Sequence, residues 1–281
     1  MSCYLITGGA GFFGTVLKQH LLKQGAECVS IDLEPDSFQH PRFTAYQGDI
    51  NDDSLMEKIF SVHKPEAVFH CAALLAHVKK DLKRLWHANV DGTRNVYDFA
   101  LKYGVKKIVF ISSNCLWAKN FDSPVTEDEE PNPVEIYGKS KLEGEKILLS
   151  QPDKINSIIF RSPTIMDEGR LGLLGILFEF IDEGRKLPMV GDGTNRYQFI
   201  YAKDLAKACE LALAADYSEI FNIGADDVKS FNEVYQYVIN KSGSGSRLFH
   251  FPKLPMIWAM KVCFWLGISP LGPYQYKMIA S

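Results

Sequence analysis

The sequence has little of what marks several classes of protein. Its 281 residues carry a formal net charge of −3 and no long Lys/Arg block, which argues against nucleic-acid partners and a basic membrane anchor. The six cysteines form no CxxC pair and no signal-type segment precedes the first apolar run, so a cytoplasmic setting without a metal site is expected. The most apolar late stretch, PMIWAMKVCFWLG, contains Lys261 and is shorter than the roughly 20 residues that cross a bilayer. No membrane span is predicted, and a buried helix is expected there.

What is present is the composition of a globular protein, in which short β-branched runs alternate with helical patterns. This alternation is typical of a parallel sheet wrapped by helices. Strands are expected in CYLIT, CVSID, FTAY, AVFHC, KIVFIS and SIIFRS, and helices near 13–24, 53–62, 83–103 and 136–149. The predicted fold is therefore α/β, a Rossmann-type doubly wound parallel sheet.

The alternation stops after Arg161, where PTIMDEGRLGLLG has a loop-like composition and ILFEFIDEG a helical one. The chain is therefore expected to leave the sheet for a smaller C-terminal α/β substrate lobe, to return, and to leave again. The predicted NAD-binding domain comprises residues 1–165 with returning segments near 198–225, and the substrate-binding lobe comprises residues 166–197 and 226–281.

The stretch LITGGAGFFG places glycines between a strand and a helix. Gly8 permits a tight turn, Gly11 lets a pyrophosphate approach the backbone, and Gly14 lets the helix pack on the strand. Phe12 and Phe13 open that helix, whose N-terminal N–H groups face the anion, and are included among the predicted cofactor contacts. The motif predicts a dinucleotide-binding turn, with an ordinary tight turn as the alternative.

The second expected strand ends at Asp32, about 20 residues after the glycine motif. A carboxylate there accepts hydrogen bonds from the adenosine ribose and repels a 2′-phosphate, and IDLEPDSFQH contains no Arg or Lys to attract one. NAD is therefore predicted as the cofactor in preference to NADP. The alternative is a solvated aspartate that closes a strand.

The stretch YGKSK places Tyr137 and Lys141 four residues apart on one face of an expected helix. A nearby ammonium lowers a phenol pKa that is otherwise about 10, which makes Tyr137 a usable acid or base. Ser112 and Ser113 end a strand at the carboxyl edge of the sheet, where such folds bind ligands. Together these residues predict proton transfer at a carbinol oxygen while a cofactor takes hydride from its carbon.

Eight motifs follow one another from near residue 3 to about 224: TGGAGFFG, GDI, HCAA, NVDGTRNV, ISS, YGKSK, GDGTNRYQFIYAKDLAKA and FNIG. With them the sequence resembles an extended short-chain dehydrogenase/reductase of the NAD-dependent epimerase/dehydratase family. The resemblance implies that Ser113 polarises the substrate oxygen, Tyr137 is the acid/base and Lys141 holds the nicotinamide ribose. Asn89 would support hydrogen bonding in the active site. The further cofactor contacts that it implies are Asp49, Ile50, Cys71, Ala72, Ala73, Asn89 and Ser112.

The same resemblance bears on the substrate. Arg196 occupies the position where sugar-nucleotide enzymes contact the diphosphate, and FRSPT puts Thr164 where many relatives carry a phosphate-binding asparagine. Asn114 and Cys115 stand where dehydratases of the family carry an Asp-Glu pair, so elimination is not expected. Cys115 also resembles the active-site cysteine of GDP-mannose 3,5-epimerase, although packing is the more common role of such a residue.

The sequence therefore predicts a nucleotide-sugar epimerase that uses NAD without consuming it. The resemblance also implies a homodimer packed through the helices near 83–103 and 136–149. Two alternatives are a dehydrogenase/reductase of a less polar alcohol, as in the 3β-hydroxysteroid branch, and a non-catalytic dinucleotide sensor.

Overall fold

The computed structural model describes residues 2–75, 81–117, 123–170 and 173–252, and the positions 254, 255, 258 and 262. Two compact units divide the chain. Unit 1 comprises Met1–Ile165 and Ile200–Gly224, and unit 2 comprises Met166–Phe199 and Ala225–Ser281. None of the helices within the described ranges has the length and apolar character needed to cross a bilayer.

The strands, numbered in chain order, are β1 (Cys3–Thr7), β2 (Glu27–Asp32), β3 (Phe43–Gln47), β4 (Ala67–His70), β5 (Lys107–Ser113), β6 (Asn156–Ser162), β7 (Thr164–Met166), β8 (Leu187–Val190), β9 (Phe199–Tyr201), β10 (Glu219–Asn222) and β11 (Leu248–Phe251). Unit 1 holds a parallel seven-stranded sheet in the order β10-β6-β5-β4-β1-β2-β3. The strand order reverses between β1 and β4, which opens a crevice at their carboxyl ends. The predicted Rossmann-type sheet and its expected strands are confirmed.

The helices are α1 (Phe12–Lys23), α2 (Asp53–His63), α3 (Leu82–Trp86), α4 (Gly92–Lys102), α5 (Ile136–Leu148), α6 (Leu173–Asp182), α7 (Ala202–Ala212) and α8 (Phe231–Ser242). The side chain of Asp52 caps α2 by accepting hydrogen bonds from two main-chain N–H groups. The helix expected near 83–103 consists of α3, a π-helical turn over His87–Asp91, and α4. Such single π-turns occur frequently at functional sites.

The core of unit 1 lies on both faces of its sheet, because successive strand residues point to opposite sides. Val68 and Ile108 belong to the cluster with the residues of α2, α4 and α5. Phe69 and Val109, one position further along, belong to the cluster with α1 and α7. The central strands are therefore buried on both faces, as parallel sheets require.

Unit 2 has a core of its own, formed by Ile181, Leu187, Met189, Tyr235 and Ile239. Its helix α8 begins with a capping box, in which Ser230 and Glu233 bond to each other's main chain. The stretch PTIMDEGRLGLLG, expected to be a loop, contains β7 and the start of α6. The helix expected in PMIWAMKVCFWLG lies mostly outside the described residues. Its described members Pro255, Trp258 and Val262 are exposed, so burial was the wrong expectation for these three.

Candidate active site

The glycine turn after β1 is shaped by main-chain contacts. Gly8 has a φ of +72° and donates its N–H to the carbonyl of Ile31 at 2.8 Å. A Cβ at Gly8 would lie 2.8 Å from the main-chain nitrogen of Ala72, and one at Gly14 only 2.1 Å from the carbonyl oxygen of Gly8. Gly8 therefore makes the tight turn, and Gly14 lets α1 approach it. Gly9, whose role the sequence did not indicate, lies against Ser30 on β2.

The outer side of this turn is open where α1 begins. Gly11 precedes the helix and is exposed, and a Cβ there would meet a single atom, the carbonyl oxygen of Gly8, at 3.1 Å. No side chain among the described residues caps α1, and its first turn contains no acidic residue. The helix N-terminus therefore favours an anion in this space, as the pyrophosphate of a dinucleotide requires. The side chain of Phe13 is buried in the core, so its main chain is the part that can face a ligand.

Asp32 ends β2 beside the turn. Its Oδ2 accepts a hydrogen bond from the N–H of Ala10 at 3.0 Å, and its Oδ1 accepts one from the N–H of Glu34 at 3.0 Å. Each carboxylate oxygen has a second lone pair that can accept a ribose hydroxyl. The structure thus holds Asp32 in place by main-chain contacts, and its carboxylate fits the predicted recognition of NAD.

The buried ammonium of Lys18 holds the glycine turn by a hydrogen bond to its main chain. Lys18 is 1% exposed, pairs with Asp36, and donates a hydrogen bond to the carbonyl of Gly9 at 3.1 Å. Its Nζ also lies 5.1 Å and 5.0 Å from the ring centroids of Phe38 and Phe43. These contacts offset the cost of burying the charge and connect α1 to the segment after β2. The sequence signal for this residue was a lysine on the apolar face of α1.

The remaining predicted cofactor residues lie near the carboxyl ends of β3 and β4. Asp49 accepts a hydrogen bond from the main chain of Asn51 at 2.9 Å, and Ile50 is buried against Gly92 on α4. Cys71, Ala72 and Ala73 follow β4 at the level of Gly8. Burial raises the pKa of the Cys71 thiol to about 12, so this thiol stays protonated at neutral pH.

Asn89 occupies the π-helical turn and connects two parts of the site. Its Oδ1 accepts a hydrogen bond from the N–H of Leu74 at 2.7 Å, and its Nδ2 donates to the Leu74 carbonyl at 3.0 Å. The same Nδ2 donates to Ser140 Oγ on α5 at 3.0 Å. Asn89 therefore joins the segment after β4 to the helix that carries Tyr137 and Lys141.

The two serines at the end of β5 have different partners. Ser112 donates to the Glu145 carboxylate at 2.5 Å, and Glu145 forms a buried ion pair with Arg161 at 2.8 Å. Ser113 accepts a hydrogen bond from the N–H of Cys115 at 3.2 Å and so caps a short 3₁₀ turn over Asn114–Leu116. Ser112 therefore anchors α5 to the sheet, whereas Ser113 begins the turn that contacts α5.

Close packing brings that turn against the start of α5. A Cβ at Gly138 would lie 2.3 Å from the carbonyl oxygen of Cys115 and 2.9 Å from Pro133. Gly138 follows Tyr137, which is half-buried in the first turn of α5. The glycine of YGKSK is therefore a packing requirement that brings the element carrying Tyr137 to the turn that begins at Ser113.

Lys141 lies one helical turn after Tyr137 and is 3% exposed. Its Nζ donates to the carbonyl of Ile111 at 2.8 Å and lies 4.5 Å from the centroid of the Phe110 ring. Burial lowers the pKa of Lys141 to about 8, partly opposed by Cys71 and Glu145. The side chain is thus largely protonated at neutral pH and close enough to its deprotonation to be sensitive to alkaline conditions.

The two predicted substrate residues lie in different units. Thr164 is exposed at the start of β7, just beyond the carboxyl end of β6, and belongs to unit 1. Arg196 is exposed in unit 2, where it forms an isolated bridge with Ser230. Unit 1 thus contains every predicted catalytic and cofactor residue, and Arg196 stays a prediction. Within the described ranges, no group of three or more His, Cys, Asp or Glu side chains could hold a metal ion.

The chain is similar in sequence and in structure to known proteins. The chain is 38% identical over 277 residues to an uncharacterised protein, y4nG, of Sinorhizobium fredii, covering 98% of this chain and 69% of that one. It is 30% identical over 264 residues to a putative UDP-glucose 4-epimerase of Methanocaldococcus jannaschii, covering 89% and 86% of the two chains. The structure matches that of the enzyme WbmG of Bordetella bronchiseptica in complex with NAD and UDP, with a TM-score of 0.78, 25% identity, and coverage of 88% and 80%.

A family model gives the assignment. The model of the NAD dependent epimerase/dehydratase family matches residues 4–224, which include the glycine turn, Asp32, the Ser113 turn, Tyr137 and Lys141. This match extends over most of the chain and contains all of unit 1 beyond its first residues. The chain therefore belongs to the NAD dependent epimerase/dehydratase family.

Proposed function

We propose that the protein is an NAD-dependent nucleotide-sugar epimerase. The observation that carries this proposal is the close packing of α5, which carries Tyr137 and Lys141, against the turn that begins at Ser113, in the unit that holds the glycine turn. A relative 30% identical to the chain is named as a putative UDP-glucose 4-epimerase, and the matched WbmG structure contains NAD and UDP. These comparisons support a uridine nucleotide sugar as the substrate class.

In this proposal, different residues of unit 1 bind different parts of NAD. The turn from Gly8 to Gly14 would receive the pyrophosphate, because its outer side is open and the N-terminus of α1 lies behind it. Asp32 would accept the hydroxyls of the adenosine ribose. Asp49 and Ile50 would lie near the adenine, and Cys71, Ala72 and Ala73 would line the cofactor. When bound, NAD supplies the hydride chemistry of the reaction, since its nicotinamide accepts a hydride from a carbinol carbon and can return it.

The chain itself moves the proton and orients the sugar. Tyr137 would take the proton of the substrate hydroxyl and later give it back, and Ser113 would donate a hydrogen bond to the same oxygen. The ammonium of Lys141 would favour the tyrosinate by its charge and hold the nicotinamide ribose. Arg196 would contact the diphosphate of the nucleotide sugar, and Thr164 stays the second predicted substrate contact.

Asn114 and Cys115 set the expected class of reaction. Neither is a carboxylic acid able to protonate a leaving hydroxyl, so we propose epimerisation without elimination. If Cys115 transfers a proton beside a transient ketone, Cys115→Ser abolishes deuterium incorporation from solvent at the neighbouring carbons. If Cys115 only packs, the same substitution changes stability modestly and leaves exchange unchanged. A 4-keto-6-deoxy product from any nucleotide sugar would contradict the proposed class.

The function is tested by incubating the protein with NAD and a panel of UDP-sugars and less polar alcohols. We expect an epimeric sugar by chromatography and no net NADH by absorbance. Stoichiometric NADH from an alcohol would identify a dehydrogenase instead. NAD binding without turnover of any substrate would indicate a dinucleotide sensor.

We also propose a homodimer packed through α4 and α5 and a cytoplasmic location. Light scattering during gel filtration should give twice the chain mass of 31.7 kDa. A monomer at micromolar concentration would contradict the dimer. Cell fractionation tests the location, and recovery of the protein with membranes would contradict it.

A further inference from the structure

Three side chains form a row across the sheet, at the carboxyl ends of β1 and β4 and in the middle of β5. Parallel pairing sets Thr7 beside His70 and His70 beside Phe110. The His70 imidazole is fully buried and stacks on the Phe110 ring, with centroids 5.3 Å apart and an interplanar angle of 21°. His70 therefore lies between Thr7, which precedes the glycine turn, and Phe110, whose ring contacts Lys141.

Hydrogen bonds fix the tautomer of this imidazole. Thr93 on α4 donates its hydroxyl proton to the carbonyl of Asn89 at 2.6 Å, so its oxygen accepts from His70 Nε2 at 2.8 Å. On the other side, Thr7 Oγ1 accepts from the N–H of Ala72 at 3.2 Å and lies 2.7 Å from His70 Nδ1. With the proton of the uncharged ring on Nε2, Nδ1 is an acceptor, and Thr7 donates to it.

The same chain of hydrogen bonds continues to the helix of Tyr137. The side chain of Asn89 donates to Ser140 Oγ at 3.0 Å, and Ser140 donates to the carbonyl of Tyr137 at 2.8 Å. One end is thus the N–H of Ala72, in the segment that packs against Gly8. The other end is the main chain of Tyr137.

The charges around His70 favour its uncharged form. Thr7 from β1, Thr93 from α4 and Phe110 from β5 are uncharged, and the charged neighbour is Lys141 from α5. Burial, and to a smaller extent Lys141, lowers the pKa of His70 to about 3. An uncharged ring with one donor and one acceptor matches the two threonines that it joins.

We propose that His70 is a positioning residue that, as the Nε2–H tautomer, fixes Tyr137 relative to the cofactor-binding segment through the chain Ala72–Thr7–His70–Thr93–Asn89–Ser140–Tyr137. It touches neither substrate nor cofactor in this role. The inference rests on the proposed function, because the benefit of the alignment is proton transfer by Tyr137 during hydride transfer.

The first test compares His70→Phe with His70→Gln. Phenylalanine keeps an aromatic ring beside Phe110 and removes both hydrogen bonds. Glutamine offers an NH₂ group that can donate to Thr93 and a carbonyl oxygen that can accept from Thr7. We expect His70→Phe to lower kcat about tenfold with KM for the sugar nearly unchanged, because misplaced groups lose rate rather than substrate contacts. His70→Gln should recover most of the loss.

His63→Phe is the matched control, since His63 is half-buried in unit 1 and hydrogen-bonded to Tyr46 outside this chain of contacts. It should leave kcat unchanged. The proposal is overturned if His70→Phe keeps kcat within threefold of wild type, or if His70→Gln is no better than His70→Phe. If His70→Phe does not fold, Thr93→Val takes its place, with the same expected loss and the same threshold.

Two further readouts do not depend on epimerase activity. Nitrogen-15 NMR of the wild-type protein near pH 7 should show the Nε2–H tautomer for His70; an Nδ1–H ring or an imidazolium would overturn the proposal. Calorimetry should show NAD binding several-fold weaker in His70→Phe and unchanged in His63→Phe, and equal affinities would count against the coupling. A wild-type protein without epimerase activity but with these two results would refute the proposed function alone.

Discussion

In the glycine turn, nearby main-chain atoms leave no room for side chains. The relative positions of Ser113, Tyr137 and Lys141 instead depend on the packing of α5 against the end of β5. Gly14 meets the Gly8 carbonyl six residues earlier, while Gly138 meets the Cys115 carbonyl across a longer stretch of chain. The glycine turn leaves room for a ligand next to its main chain. The second region carries the side chains proposed to act on the substrate hydroxyl. We therefore expect substitutions in the turn to affect binding and folding, and substitutions in the second region to affect turnover.

The largest expected effect is the loss of turnover in Tyr137→Phe, which should leave NAD binding intact. This change deletes the proposed proton-transfer group and little volume, so kcat should fall by roughly 10²- to 10⁴-fold. NAD affinity by calorimetry should stay within about twofold. Tyr97→Phe is the control, because the buried hydroxyl of Tyr97 has no hydrogen-bond partner among the described residues. Unchanged turnover in Tyr137→Phe would assign the chemistry to another residue.

Gly14→Ala and Gly11→Ala probe the turn in two ways. At Gly14 a Cβ would lie 2.1 Å from a carbonyl oxygen, so Gly14→Ala should lower the free energy of unfolding by about 1–3 kcal/mol or more and abolish NAD binding. At Gly11 the contact is 3.1 Å and the space beyond is open, so Gly11→Ala should weaken NAD binding with little change in Tm. Thermal denaturation and calorimetry measure both.

Gly245→Ala in unit 2 is the control for these substitutions, since a Cβ there meets nothing within 4 Å and the backbone needs no positive φ. It should change neither Tm nor NAD affinity. Equal destabilisation by Gly11→Ala and Gly14→Ala would contradict the separate roles of packing and ligand approach.

Asp32→Asn tests the residue of the binding region that distinguishes NAD from NADP. The wild-type protein should bind NAD far more tightly than NADP, because the carboxylate accepts ribose hydroxyls and repels a 2′-phosphate. The amide should weaken NAD binding roughly tenfold, as expected for the loss of a hydrogen bond to a charged group, and reduce the discrimination against NADP. Titration of both cofactors by calorimetry measures this. Equal wild-type affinity for the two would contradict the role of Asp32.

The smallest expected effect is a pH dependence with opposite signs for turnover and stability. The pKa of Lys141 is lowered to about 8, so turnover should fall as pH rises through that value and the ammonium proposed to favour the tyrosinate is lost. The unfolded lysine keeps its proton up to about 10.5, so between these two pKa values the unfolded state binds more protons than the folded state. The contribution of Lys141 to the stability of the cofactor-free protein therefore increases from pH 8 to 10.5.

Lys141→Met should remove the Lys141 contribution to both pH profiles. Turnover and denaturant unfolding at a series of pH values provide the measurement. A Lys141→Met protein whose stability still rises in the same way between pH 8 and 10.5 would assign that rise to another group.

The order of strands and helices was predictable because each element carries its own periodicity. The strands β1 to β6 were expected within about one residue of their observed ends. The helix over 83–103 was expected as one piece, because the π-turn at His87–Asp91 leaves no mark in the apolar pattern. It arises where Asn89 turns its side chain toward Leu74 and Ser140, which only the fold brings near.

The candidate site was predictable to the extent that it is local. The four-residue spacing of Tyr137 and Lys141 puts them on one helix face. The glycine turn is recognised by the strand pattern before it and the helix pattern after it. Ser112 stays a predicted cofactor contact, and the sequence did not indicate that its hydroxyl donates to the buried Glu145–Arg161 pair. No spacing rule connects these three residues, because they come from β5, α5 and β6.

Local sequence was enough to predict the type of sheet, the glycine turn, the acidic residue that ends β2, and the spacing of Tyr137 and Lys141. These features depend on local sterics and on residue periodicity, which operate within a few turns of chain. Two features follow from the folded arrangement alone: Lys18 donates to the Gly9 carbonyl of the turn, and His70 joins Thr7 to Thr93. Both depend on strand register and helix packing between distant segments, and a buried polar side chain finds its partners only after those segments have met.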